Sequence, residues 1–225
     1  MKNNLLFALQ LLNNLGKFKK VDEIEDENVK EVYERCQNWE DVYLYILNLL
    51  KDETSSKAKA LKVDVYSFLD KAKYRDDYIL AIQEYLKDLD EDDIESLRKY
   101  KEKYYNKPIT HDLARDMLKS GLLERLAYLE FKRKNYNDAL NYIDEAIELA
   151  DITRSMIKIK VDILLKLKQK KGIIEFLNNI KKSVDYQSVK DMTFDEVAET
   201  ENKDILRKYF VKFEVDMTLQ SMLDN

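Results

Sequence analysis

The chain predicts an all-α protein, and three observations carry that expectation. Its 225 residues include three Gly and one Pro, too few for the left-handed and pre-bent positions that the turns of a sheet-rich fold require. Apolar residues recur close to every 3.6 positions over most of the chain, the period of a helix with one buried face. Hydrophobic residues reach 45%, with 15 Tyr, which is more than a disordered chain carries even though 37% of the residues are charged. At this length roughly 70% of the unfolded surface can be buried.

The elements follow in order. Leu5 to Leu12, apolar behind Lys2, superficially resembles a secretory signal, but Gln10 interrupts it, Asn13-Asn14 follow, and no small-x-small cleavage site closes it. Leu5, Leu9 and Leu12 instead fall at i, i+4 and i+7 of a helix that Gly16 is placed to end. Shorter stripes follow: Val29, Val32, Tyr33 and Cys36; then Trp39, Val42, Ile46 and Leu50; then Ala60, Leu61, Val65 and Leu69; then Ile79, Ile82 and Leu86. The later stripes contain Leu113, Leu122, Leu126 and Leu129, then Ala139, Ile143 and Ala146, then Ile157, Val161 and Leu164, and, past Gly172, Ile173, Leu177 and Ile180. Each runs two to four turns, too short to persist alone, so the helices must bury their faces on one another.

The breaks have chemical causes. Thr54 and Ser55 are N-cap candidates. Pro108 ends one helix and Thr110 restarts another, with Asp112 near its positive end. Thr193 with Glu196 forms a capping box. No gap is a long linker, so residues 1–187 are expected as one helical body, followed by a C-terminal helical piece at 188–225. No apolar run approaches the roughly 20 residues of a membrane-spanning helix, and a cytoplasmic protein is expected.

A phrase recurs within the chain. Asn38-Trp39-Glu40-Asp41-Val42, then Tyr45-Ile46, returns as Asn135-Tyr136-Asn137-Asp138-Ala139, then Tyr142-Ile143. Asp77-Tyr78 with Ala81 and Tyr85 is a looser third copy, and Lys170, Ile173, Leu177 and Ile180 a degenerate fourth. Taking Val42, Ala81, Ala139 and Ile173 as equivalent, the copies lie 39, 58 and 34 residues apart. The last spacing equals the period of tetratricopeptide helix pairs, about 34 residues.

On these residues the chain resembles a tetratricopeptide-repeat protein. In the best unit, residues 120–153, Leu123, Leu126 and Ala127 match the first helix, Tyr136 the turn, and Ala139, Ile143 and Ala146 the second helix. Glu130 and Asp151 depart from the family pattern. The next unit, residues 154–187, keeps Ile157, Val161, Leu164, Ile173, Leu177 and Ile180, with Lys160 and Lys170 as departures. Small residues such as Ala127 and Ala139 let two helices approach closely. The stretch between Ser96 and Lys119 reads as an irregular insert.

The resemblance implies an antiparallel helix-pair solenoid with irregular repeats. It implies an interaction scaffold or adaptor whose first helices line a groove for a peptide or helix of another protein. The residues it places there are Arg125, Tyr128, Lys132, Lys158, Asp162 and Lys166. Tyr128 stands where carboxylate-gripping members carry Asn, and Glu124 would repel a carboxylate, so that clamp is not carried over.

Charge is arranged in blocks. Residues 1–95 hold 14 basic and 22 acidic side chains, residues 96–182 hold 20 and 12, and residues 183–225 hold 5 and 10. A basic centre suits an acidic peptide partner, or an RNA or single-stranded backbone on which Tyr100, Tyr104 and Tyr105 could stack bases. The competing account is solvated helix faces screened by salt. A sequence pI of about 5.3 disfavours duplex DNA.

No catalytic constellation emerges, and the expectation is a protein that is not an enzyme and holds no cofactor or metal. Three scattered glycines build no phosphate loop, and one Cys and one His make neither a disulfide nor a zinc cage. A calcium loop begun at Asp88 would need Gly and Glu where Asp93 and Lys99 stand. Ser56 and Lys59 form an S-x-x-K without its companion motifs. His111, Cys36 and Trp39 read as a surface or packing histidine, a small buried hydrophobe and a wedge between helices.

At the C-terminus, Leu206, Phe210, Phe213 and Met217 make an i, i+4, i+7, i+11 face. It would either seal the end of the repeats or pack on a second copy, with Phe210, Phe213 and Met217 as a dimer seam. A strand is the competing reading, because Phe213, Val215 and Met217 alternate with Glu214 and Asp216.

Overall fold

The computed structural model describes residues 4–15, 21–69 and 71–223. Helices joined by short loops and turns make up these residues, with no strand among them. The chain divides into two compact units, Met1–Asp90 and Glu91–Asn225. The C-terminal helix lies within the second of these units. Lys2 and Gly16 lie outside the described residues.

The first unit contains α1 (Asn4–Asn13), α2 (Glu27–Arg35), α3 (Trp39–Leu50), α4 (Ser56–Leu69) and α5 (Arg75–Leu86). Their starts are set by side chains that accept otherwise unpaired amide protons. Asp26 accepts from the amides of Asn28 and Val29, Asn38 from Asp41 at 3.2 Å, and Ser55 from Ala58 at 3.3 Å. Helix α3 packs on α1 and α4, and α4 packs also on α5. With neighbours on two sides, α4 buries Ala60 and Val63 as well as Ala58, Leu61 and Val65. Leu11, Val29, Tyr33, Val42, Ile46 and Leu50 form the centre of this core. The Tyr33 hydroxyl donates to the Leu11 carbonyl at 2.7 Å, which satisfies a phenol that burial would otherwise strand. Glu40, at the start of α3, is held by Lys71, Lys73 and Tyr74, whose hydrogen bonds lower its carboxyl to about 2.

The second unit contains α6 (Glu91–Tyr105), α7 (His111–Arg133), α8 (Tyr136–Leu149), α9 (Arg154–Lys166), α10 (Lys170–Lys181), the short α11 (Val184–Gln187) and α12 (Phe194–Ala198), and α13 (Lys203–Leu223). Packing is sequential from α6 through α10, and α13 lies on α9 and α10. The stretch read as an irregular insert is helical, forming most of α6 and the first turns of α7. Thr110 caps α7 by accepting from Leu113 at 3.2 Å, and Thr193 with Glu196 closes a complete capping box.

Neither glycine among the described residues makes a helix stop. Asn106, Lys134 and Lys168, all with positive φ, close α6, α7 and α9, whereas Gly121 and Gly172 lie inside α7 and α10. At the end of α7, the Asn135 amide donates to the Glu130 carbonyl at 3.0 Å. The Glu130 side chain, buried where the repeat pattern expects a large apolar group, accepts from Asn135 Nδ2 at 2.7 Å and from Arg133 at 3.1 Å. A local polar clasp thus replaces apolar packing at this corner.

The repeated phrase marks helix starts in three of its four copies. Val42, Ala139 and Ile173 are each the fourth residue of a helix, and each is fully buried, as are Ile46, Ile143 and Leu177 one turn on. The third copy is out of register: Tyr78, matched to a turn aromatic, lies inside α5 and is buried. Trp39 is 36% exposed at the first position of α3 rather than a wedge between helices. Cys36 is half-buried just past the end of α2 and packs at the edge of the core.

Candidate partner-binding face of α7, α9 and α13

The six residues expected to meet a partner are exposed on two helices of the second unit. On α7, Arg125, Tyr128 and Lys132 share one side because their spacings of three and four place them along one stripe. Leu126, Ala127 and Leu129 are buried on the other sides. The Lys132 ammonium lies 5.0 Å from the centre of the Tyr128 ring, within cation–π range. On α9, Lys158, Asp162 and Lys166 are exposed, whereas Ile157, Val161 and Leu164 are buried.

Helix α13 alters that second row. Glu214 accepts from Arg154 Nε at 2.7 Å and lies 3.7 Å from Lys158 Nζ. Lys158 therefore borders α13 rather than an open groove. The strand reading of 213–217 is replaced by this helix. Its inward face is Val211 and Val215, with Leu219 and Met222 packed at the edge of the same cluster. Phe210, Phe213 and Met217 lie on the exposed side. The helix is apolar on two sides, and periodicity alone selected the side with the larger residues.

Polar contacts fix α13 in place. Arg207, only 12% exposed, donates to Asp185 at 2.7 Å, to Asp204 at 3.2 Å and to the Ile152 carbonyl at 3.3 Å. Lys208 reaches the same two carboxylates. The Tyr186 hydroxyl donates to Asp216 at 2.6 Å, and burial together with that hydrogen bond raises its phenol well above the ordinary range. The sequence reading missed Arg207. The only local signal is Asp204 one turn before it, since its other partners are at least 22 residues away.

The basic runs differ in how far they are neutralised. Arg98 bonds Glu95 and Glu102 at 2.7 Å, and Lys99 lies 3.4 Å from Glu95, so this run is largely paired within α6. Lys166, Lys168 and Lys170 have no acidic partner among the described residues. Near the end of α6, Tyr100 and Tyr104 stack at 5.8 Å with both rings exposed. The Lys101 ammonium lies 5.5–6.0 Å from three tyrosine rings, and burial, with Arg207 nearby, lowers its pKa. A cleft of about 770 Å³ adjoins them, lined by Lys103, Tyr104, Tyr105, Asn106 and residues 200–203.

The residues considered for chemistry meet polar neighbours within their own units. Ser56 donates to Asp90 at 2.9 Å, and Lys59 pairs with Asp88 at 2.6 Å. His111 Nε2 lies 3.0 Å from Glu91 at the start of α7. Among the described residues no three His, Cys, Asp or Glu side chains converge to hold a metal ion, and no helix is long and apolar enough to cross a membrane. Comparison of the chain with family models, curated proteins and solved structures finds no match.

Proposed function

We propose that the protein is a non-catalytic interaction module, a scaffold or adaptor in which tetratricopeptide-like helix pairs present their first helices to a partner protein. The observation that carries this reading is the pairing of register with exposure. Helices α8 and α10 begin in the same register 34 residues apart, and each follows a helix, α7 or α9, whose outer stripe is polar, aromatic and exposed. A surface that combines Tyr and Arg with lysines suits capture of an acidic peptide or helix. The double variant Tyr128→Ala/Lys166→Glu is expected to reduce recovery of native partners at least tenfold, quantified by mass spectrometry of affinity-purified material. Stability should move by no more than about 0.5 kcal/mol, as for exposed substitutions elsewhere. Undiminished recovery of every partner would remove this face from consideration.

The exposed Tyr100–Tyr104 stack beside Lys101 and Lys103 favours a second reading, an accessory subunit that associates with RNA or another single strand through the basic 96–182 region. Base stacking on tyrosine and phosphate contacts by lysine would both contribute there. A labelled oligouridylate should then bind at low salt, with affinity falling steeply as salt rises. Absence of binding at the lowest salt rules it out.

A further inference from the structure

Resting on the interaction-module reading, we infer that the groove between α9 and α13 receives an amphipathic helix of a partner protein whose apolar stripe is flanked by acidic residues. Residues that the sequence assigned to two separate surfaces lie here on one. The Arg154 guanidinium stands 5.9 Å from the Phe213 ring, and Arg154 and Lys158 both reach Glu214. Further along, Leu165 of α9 faces Thr218, Ser221 and Met222 of α13 across a cleft of about 470 Å³ that Lys168 and Lys170 also line. The two helices thus run side by side from Arg154 to Leu165, about 16 Å at 1.5 Å per residue, the length of three helical turns.

The floor and rim of this groove specify the occupant. Leu165, which lines the cleft, is 53% exposed and Phe213, beside Arg154, 43%; Met217 at 52% and Phe210 at 42% continue the exposed apolar side of α13. Taking about 200 Å² for each fully exposed side chain, they present on the order of 400 Å² of apolar surface. That is within the range of functional patches and about half of the roughly 800 Å² per partner that a stable interface between two proteins buries. One helix face fits this area; a second copy of the chain does not. Arg154 and Lys158 neutralise Glu214, whereas Lys168 and Lys170, which line the cleft, and Lys166, next to Leu165 in sequence, have no acidic partner among the described residues. Carboxylates beside the apolar stripe of an incoming helix would meet these lysines without displacing any existing ion pair.

The test uses the full chain and a labelled synthetic helix with leucines at i, i+3, i+4 and i+7 and glutamates on both flanks, read by fluorescence anisotropy. Saturable binding is expected, with affinity reduced at least tenfold by Leu165→Ala/Phe213→Ala and unchanged by Tyr128→Ala. Both substituted residues are exposed, and circular dichroism checks that the fold persists. Undetectable binding, equal binding by a lysine-flanked version, or wild-type affinity in the double variant would overturn the inference. So would a dimer in analytical ultracentrifugation that Met217→Glu dissociates, since a second copy would then own the groove. Should the synthetic helix fail while native partner recovery still depends on Tyr128 and Lys166, the groove is wrong and the interaction-module reading stands. Should recovery be independent of those residues as well, that reading fails separately.

Discussion

Replacement of Arg207 by alanine is expected to destabilise the second unit by about 2–4 kcal/mol, read as a lower urea midpoint with an unchanged slope. The side chain is 12% exposed and joins α13 to α11 through Asp185, to the loop before α9 through the Ile152 carbonyl, and to Asp204 on its own helix. Its removal leaves Asp185 and Asp204 with Lys208 as their remaining cation, and takes from Asp151 a guanidinium 3.4 Å away; an uncompensated charge costs more than the pair it came from is worth. Arg207→Lys should recover only part of the loss, because an ammonium cannot satisfy divergent acceptors as a guanidinium fork does.

The pH dependence supplies an independent reading. Burial alone would raise the Asp204 carboxyl, but hydrogen bonds from Lys208 and Arg207 outweigh it and hold the group below its ordinary 3.8. A carboxyl that binds its proton less tightly when folded contributes stability above its unfolded pKa and loses it as pH falls through the folded value. Wild-type stability should therefore decline below about pH 4 in part through Asp204, and Arg207→Ala should flatten that acid limb. A loss under about 0.5 kcal/mol with an unaltered acid limb would identify Arg207 as an ordinary solvated ion pair.

Truncation of Leu126 to alanine is expected to cost about 2–5 kcal/mol, the range for fully buried leucines in packed cores. Leu126 is 0% exposed and lies on the side of α7 that also buries Ala127. Helix α8 packs on α7 with Ala139, Ile143 and Ala146 all fully buried. The two short alanines bring the helix axes close, so the neighbours have little room to collapse into the cavity. A buried hydrogen bond from Ser120 to the Ala146 carbonyl at 2.7 Å pins the same pair. Hydrogen exchange should report the damage as lost protection shared by α7 and α8. Leu165→Ala, at a half-exposed position, is the matched control and should leave that protection intact.

The helices themselves were legible. Thr110, Ser55 and the Thr193–Glu196 box are local chemical instructions, and each operates at the end where the residues place it, whereas α6 stops at Asn106, two residues before Pro108. So was the registry of Val42, Ala139 and Ile173, because a turn followed by a buried small or branched residue is a pattern of adjacent positions. The third copy misled for the same reason. Tyr78 and Ala81 have the right spacing, yet α5 begins three residues before Tyr78, and spacing alone does not locate a helix start. Glu130 looked like a flaw in the repeat until Asn135 and Arg133 were found beside it.

At the candidate surface the limit was different in kind. Arg125, Tyr128 and Lys132 share a stripe by helical geometry, and no tertiary knowledge was needed to group them. Helix α13 carries two apolar stripes, Phe210–Phe213–Met217 and Val211–Val215–Leu219. Which one is buried depends on the shape of the surface left by α9 and α10 and on the polar anchors at Arg207 and Tyr186.

The amino-acid sequence by itself determined that this protein is helical, where most helices begin, and which residues of each helix are grouped on a side, because those properties depend on interactions within about four residues. Only the tertiary structure decided that the chain divides at Asp90, that α13 turns its branched aliphatic face inward and its aromatic face outward, and that Phe213 comes to lie beside Arg154. Those outcomes depend on contacts between residues 20 to 60 positions apart, whose free energy is realised only once the intervening chain has folded.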